Sequence, residues 1–311
     1  MVRTGSPSGD GISPSGRGMW LRRVEHRTFD GDSALATHPT LRPYLADLAG
    51  PHGLVLREEV FDAGAGQAYA ELGRPLVEAV TTAEEPVDLL VLAYGVHDVQ
   101  PGRNVALHLS DRCPGRPLAF AVCDQGPAAA FTALRLIADY PAPGACVRAL
   151  LLVAEQTAVH YPLATPAPVP DRHAAVALLL ESAADAPAAL VRQHTGVSAE
   201  AAGALLAADI IELSGGRSDV TLVVGDGVPV EPGTAVAEVL RAPAGLPYTG
   251  VWSRLCAGDQ PDRLAVLADH DPALGYLSVA AVALGPRTVG ASPTTGADMG
   301  GGVATMILEK P

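Results

Sequence analysis

The feature that most constrains what this chain can fold into is a series of short, almost unbroken apolar runs set between segments of helical spacing. The run VDLLVLAYG at 87–95 has no polar face. Such a strand is buried on both sides, the situation in a parallel sheet covered by helices on both faces. Before it, QAYAELGRPLVEAVTTA at 67–83 carries apolar residues at helical spacing. After it the spacing predicts a helix around 102–112, a strand RPLAFAVCD at 116–124, a helix PAAAFTALRLIADY at 127–140 and a strand VRALLLVAEQ at 147–156. Pro127 suits a first helical turn, where its missing N–H removes a donor that has no partner there anyway. Upstream, MWLRRVEHRTF at 19–29 reads as a first strand and LRPYLADLA at 41–49 as a helix opened by Thr40 as N-cap. The alternation predicts an α/β fold.

The pattern then repeats. A Pro-rich connection, YPLATPAPVPDR at 161–172, marks an internal boundary, after which HAAVALLLES at 173–182 is expected to open a second half and SAEAAGALLAADIIEL at 198–213 to form its helix. RSDVTLVVGDG at 217–227 resembles 87–95, and DRLAVLADHD at 262–271 resembles 147–156, in the same order. LGYLSVAAVAL at 274–284 closes the sheet. The expected organisation is a disordered Gly/Ser/Pro-rich leader at 1–18, one half at 19–167, a second at 168–284, and a Gly-rich tail at 285–311 in which VATMILE could add an edge strand.

Composition narrows the classes of function. The 311 residues are 48% hydrophobic and 18% charged, enough for a large core. A net charge of −13 offers no basic stripe for phosphates, so no nucleic-acid partner is expected. No apolar run reaches the roughly 18 residues of a membrane span, and no membrane partner is expected. Cys113, Cys123, Cys146 and Cys256 have neither CxxC spacing nor neighbouring paired histidines. They point to neither structural zinc nor a disulfide framework, and fit a reducing cytoplasm.

Two copies of a strand–helix–strand–helix–strand unit, with VDLLVLAYG followed by LAFAVCDQGPAAAFTALRLIADYPAPGACVRALLLVAE, resemble the thiolase superfamily in its ketoacyl-acyl-carrier-protein synthase III branch. That branch has a strand ending in a cysteine elbow, an Ala-rich helix, a Gly-containing turn and a strand ending in Glu or Asp. The likeness runs over about 19–284. It implies a duplicated five-layer α-β-α-β-α fold and acyl-thioester chemistry. The donor would be acyl-CoA or the phosphopantetheine of an acyl carrier protein, with no other cofactor and no metal. It also implies a homodimer, or a heterodimer with a homologue, assembled through the sheet edge of the first half.

The resemblance further implies a thiolate at a helix N-terminus, helped by a His and an Asn from the second half. Here VVGDGVP at 223–229 puts Asp226 where the His is expected. PYTGVWSRLCAG at 247–258, where the Asn is expected, has no Asn and offers Thr249 as a substrate contact. Cys123 admits two readings. Aligned on its strand, it lies about three residues before the usual nucleophile and leaves Gly126 or Pro127 at the elbow. If the strand ends early, it lies at the mouth of the helix.

The candidate catalytic residues are therefore Cys123, Asp226 and His97, with Asp124, Gln125, Thr249 and His270 as substrate-binding candidates. Each has a plainer alternative. Cys123 could be a small residue at a strand end, Asp124 an N-cap, Asp226 half of an Asp-Gly turn, His97 a solvated loop residue, and His270 with Asp269 and Asp271 a polar loop. Three functions follow: an acyltransferase or condensing enzyme of specialised metabolism, a silent subunit paired with an active homologue, or acyl transfer to a non-carbon acceptor using only an acyl pocket and a base.

Overall fold

The structure, a computed structural model, describes residues 18–100, 102–140, 146–163, 167–184, 186–257 and 263–285. The leader and the VATMILE segment lie outside these residues. In chain order the first unit comprises β1 (Gly18–Phe29), α1 (Leu41–Ala49), α2 (Glu58–Asp62), α3 (Tyr69–Val80), β2 (Leu89–Ala93), α4 (Val105–Arg112), β3 (Leu118–Val122), α5 (Ala128–Asp139), β4 (Arg148–Glu155) and β5 (His173–Ala183). The second comprises β6 (Leu190–Thr195), α6 (Ala199–Ser214), β7 (Val220–Val224), β8 (Glu238–Arg241), the short α7 (Gly250–Ser253), β9 (Leu264–Asp271) and β10 (Tyr276–Leu284).

Strand pairing makes the duplication explicit. The first unit runs β3-β2-β4-β5-β1, with β2 parallel to β3 and β4, and β5 antiparallel to β4 and β1. The second runs β8-β7-β9-β10, with β6 on β10, and repeats the same parallel and antiparallel choices. A short parallel pairing of β1 with β10, Trp20 opposite Ala283 and Leu21 opposite Leu284, joins them. The expected equivalences of 87–95 with 217–227 and of 147–156 with 262–271 correspond to β2 with β7 and β4 with β9. One strand has a different place from that expected. Residues 173–182 pair with β4 and β1, so β5 closes the first unit, as β10 closes the second, and the division by pairing falls between β5 and β6.

Every residue of β2 and β7 is buried, because both faces are covered. On β2, Leu90 and Leu92 pack under α3 and α4 with Leu72, Leu76 and Leu109. Leu89, Val91 and Ala93 face the opposite way, toward α5. The small residues of α5 let this helix lie in a central layer with Trp252 of α7, between the two units' sheet faces, where Phe131 and Trp252 stack at 5.0 Å. On the far side α6 covers β7, β9 and β10 through Leu206, Ile210 and Leu213. The result is an α-β-α-β-α stack. Ser198 caps α6 by accepting the Ala201 N–H at 3.3 Å, and Asn104 caps α4 by accepting that of Leu107 at 3.1 Å. Thr40 does not cap α1; its hydroxyl lies 2.7 Å from His38 Nδ1 instead.

The central strand β4 carries this packing, since Leu151 lies between Val91 of β2 and Leu178 of β5 with no exposed surface. Leu151→Ala is expected to cost about 2–5 kcal/mol in urea denaturation, whereas Leu107→Ala, at an exposed position on α4, should change stability by less than about 0.5 kcal/mol.

Candidate active site

The corner between β3 and α5 is made by two left-handed residues. Asp124 has φ +62° and Gly126 φ +55°, after which Pro127 leads into α5. A non-glycine residue in this region is uncommon, and Asp tolerates it better than most. Asp124 is not the N-cap of α5, whose start has no side-chain cap. Its carboxylate instead accepts the Cys123 thiol, Sγ to Oδ2 at 3.2 Å, and lies 3.4 Å from His97 Nε2. The structure thus brings Cys123, Asp124 and His97 together. His97 touches the carboxylate and not the sulfur. The side chains of His97 and Asp124 are 46% and 69% exposed, so solvent weakens their attraction. Burial and the Asp124 carboxylate push the Cys123 thiol up, against the opposing hydrogen bond from Tyr94. Gln125 is turned to structural use, its Oε1 accepting the Thr132 hydroxyl at 2.6 Å, and Gln193 of β6 donates to the same hydroxyl at 3.0 Å.

A cleft of about 580 Å³ opens on the other side of the corner. Pro127, Asp226, the 245–247 turn and the end of β9 line it, with Asp171 at its edge. β9 and β10 are antiparallel partners, and at the end of β9 Asp269 and Asp271 share one face by strand alternation. Two glycines admit them. A Cβ at Gly225, at the end of β7, would collide with Asp269, and one at Gly126 would collide with the Asp271 carboxylate. Asp271 is buried, and its Oδ1 accepts the N–H groups of Ala273 at 2.9 Å and Leu274 at 3.0 Å. Asp269 keeps some contact with solvent along the cleft. Even so, burial, followed by the charges of Asp271, Glu155 and Asp226, pushes its carboxyl up to about 8, against the hydrogen bond from the His270 N–H. Asp226 is exposed at the cleft wall. His270 also lines the cleft, with its Nε2 3.1 Å from the Val197 carbonyl. Among the described residues no group of three or more His, Cys, Asp or Glu side chains could hold a metal ion.

Thr249 is fully buried and presents no surface to a ligand. Its hydroxyl donates to Glu155, the last residue of β4, which also accepts the backbone N–H groups of Tyr248 at 2.9 Å and Thr249 at 3.3 Å. Burial pushes Glu155 up to about 7 despite these donors. Glu155, Asp269 and Asp171 were not among the expected site residues. The available signal was position, since Glu155 ends β4 and Asp269 lies two residues before the end of the equivalent strand β9, where open α/β sheets place their sites.

No family model matches the chain, and no curated protein matches it. Solved structures do. A 3-oxoacyl-(acyl-carrier protein) synthase from Burkholderia xenovorans LB400 superposes with a TM-score of 0.56 at 12% identity, covering 88% of this chain and 96% of that one. The acyltransferase ChlB3 gives 0.54 at 14% identity, over 86% and 98%. The 3-oxoacyl-(acyl carrier protein) synthase III of Pseudomonas aeruginosa PAO1 gives 0.53 at 14%, over 87% and 99%. The fold is therefore the duplicated thiolase-type fold. Within it, the likeness is to the ketosynthase III-like form. No helix among the described residues is long and apolar enough to cross a membrane.

The two raised carboxyls fix the sign of a pH effect. Glu155 binds its proton more tightly folded, at about 7, than its ordinary 4.5, and Asp269 at about 8 than its ordinary 3.8. The native state holds protons the unfolded chain has released, so stability should fall as pH rises from about 4 to about 8. Glu155 alone would contribute a slope of at most roughly 1.4 kcal/mol per pH unit. Urea denaturation between pH 5 and pH 8 should show the decline, and Glu155→Gln together with Asp269→Asn should flatten it.

Proposed function

We propose that the protein is a ketosynthase III-like acyl-thioester transferase of specialised metabolism. In this reading it takes acyl groups from acyl-CoA or an acyl carrier protein and passes them directly to an oxygen, nitrogen or sulfur acceptor, without an acyl-cysteine. The observation that carries this is the acidic cleft at the β3–α5 corner, where Pro127 faces Asp226, Asp269 and Asp271. Neither Gly126 nor Pro127 can attack a thioester, and burial together with its acidic neighbour pushes the nearby Cys123 thiol up, away from the nucleophilic thiolate. Asp269, whose carboxyl is pushed up to about 8, and Asp226 on the same cleft offer the two carboxyl groups that general acid–base catalysis needs. The acceptor attacks the thioester carbonyl carbon, its new bond forming as the carbon–sulfur bond breaks. Asp226 takes the acceptor's proton and Asp269 protonates the departing thiolate. Proton exchange between the two then restores the pair.

Incubated with a panel of acyl-CoAs, the protein should show no acyl adduct by intact mass. Cys123→Ala should transfer acyl groups within about twofold of the parent rate, and Asp269→Asn should lose about 10²–10⁴-fold. An adduct on Cys123, loss of transfer in Cys123→Ala, or no transfer from any donor would overturn the reading.

The edge strand β3 supports dimer formation through the first unit. Among the described residues it has no outer partner, it carries no charge, and Leu118 and Ala121 are exposed on it. Bare apolar edges are normally covered. Sedimentation equilibrium should report a dimer that Ala121→Lys with Leu118→Lys converts to monomer.

A further inference from the structure

A second cavity, of about 380 Å³, shares Ala167 with the acidic cleft, and its Tyr248 follows Pro247 of the cleft in the chain. Only 4% of the chain is aromatic, yet four of its seven tyrosines, Tyr44, Tyr94, Tyr161 and Tyr248, line this one cavity, with His97 and His160. The rings are braced from behind. Tyr94 is tilted against Tyr69 at 5.3 Å and meets His97 edge-on at 5.9 Å, while Phe61 backs His160 at 4.7 Å. These spacings are those of favourable tilted and edge-on aromatic pairs.

Among the described residues no Lys or Arg lines the cavity, and the one carboxylate, Asp98, is taken by the N–H groups of Tyr69 at 2.9 Å and Gln100 at 2.6 Å. A charged ligand group would find no counter-ion there. His160 is buried, and among the described residues its Nε2 has no protein partner. Tyr44, Leu48 and Leu163 remain 45%, 49% and 40% exposed at the mouth, an apolar rim facing solvent. A cavity of roughly 150 Å³ is enough for benzene, so this one can hold a ring and its linkage.

We infer that this cavity receives the acyl portion of the thioester and is built for a neutral aromatic ring rather than a straight alkyl chain. The inference rests on the acyl-transfer reading for its thioester and adds the class of acyl group. A ring keeps its shape on binding and meets π faces on several sides, whereas an alkyl chain would lose rotamer freedom against walls that do not follow it.

Isothermal titration with S-benzoyl- and S-octanoyl-N-acetylcysteamine tests this without requiring turnover. The benzoyl thioester should bind about tenfold more tightly, and Tyr44→Ala should remove about that factor. Leu48→Asp, which sets a charge at the rim, should weaken the benzoyl thioester in the same direction. Both positions are half-exposed, and near-UV circular dichroism checks that the variants fold. Equal or tighter octanoyl binding, or variants that leave benzoyl affinity within twofold, would overturn the inference. Benzoyl binding without acyl transfer would sustain it and sink the functional reading. Octanoyl transfer without benzoyl preference would do the reverse.

Discussion

The site depends on one buried carboxyl, Glu155, at the end of the first unit's central strand. It has no exposed surface, and it is held by the Thr249 hydroxyl and by two backbone N–H groups of the second unit. A carboxyl in that position is costly unless its oxygens are satisfied or it stays protonated, and here both conditions contribute. The bond crosses from one unit to the other. It fixes the 245–249 turn, whose one side walls the acidic cleft and whose Tyr248 ring walls the aromatic cavity. The Tyr248 hydroxyl donates to the Pro168 carbonyl at 2.7 Å, tying the same wall to the connection between β4 and β5.

Around that tie the electrostatics are one-sided. Among the described residues the cleft gathers Asp171, Asp226, Asp269 and Asp271 and no Lys or Arg. Burial, and then the charges of its acidic neighbours, push the Asp269 carboxyl up to about 8. The corner at Cys123 is the opposite case. Its members are largely exposed, the thiol donates to a carboxylate, and the imidazole is directed at that carboxylate. The two sides of the β3–α5 corner are therefore different environments, and the more strongly perturbed one lies where the two units meet.

Much of the architecture was legible in the sequence for a simple reason. VDLLVLAYG and TLVV are apolar on both faces, and only a strand covered on both sides tolerates that. The strands that were not legible, β6 (LVRQHT) and β8 (EVLR), lie at sheet edges, are short and mixed, and bury little. β5 was visible as a strand, but its place was not. An apolar run such as 174–180 has the same appearance whether its strand closes one unit or opens the next, and only its pairing with β4 and β1 decides.

The alternation of helices and buried strands, the internal duplication, and a corner before α5 with Pro127 in its first turn are written in the chain itself. Those are local properties of side-chain size, polarity and backbone preference. The tertiary structure alone decided which acidic residues share a cleft and which rings share a cavity. Asp171, Asp226 and Asp269 are tens of residues apart, and Tyr44 and Tyr248 are more than two hundred apart. A raised carboxyl or an aromatic wall arises from distances between such residues, and those distances are set by the docking of the two units across α5 and Glu155.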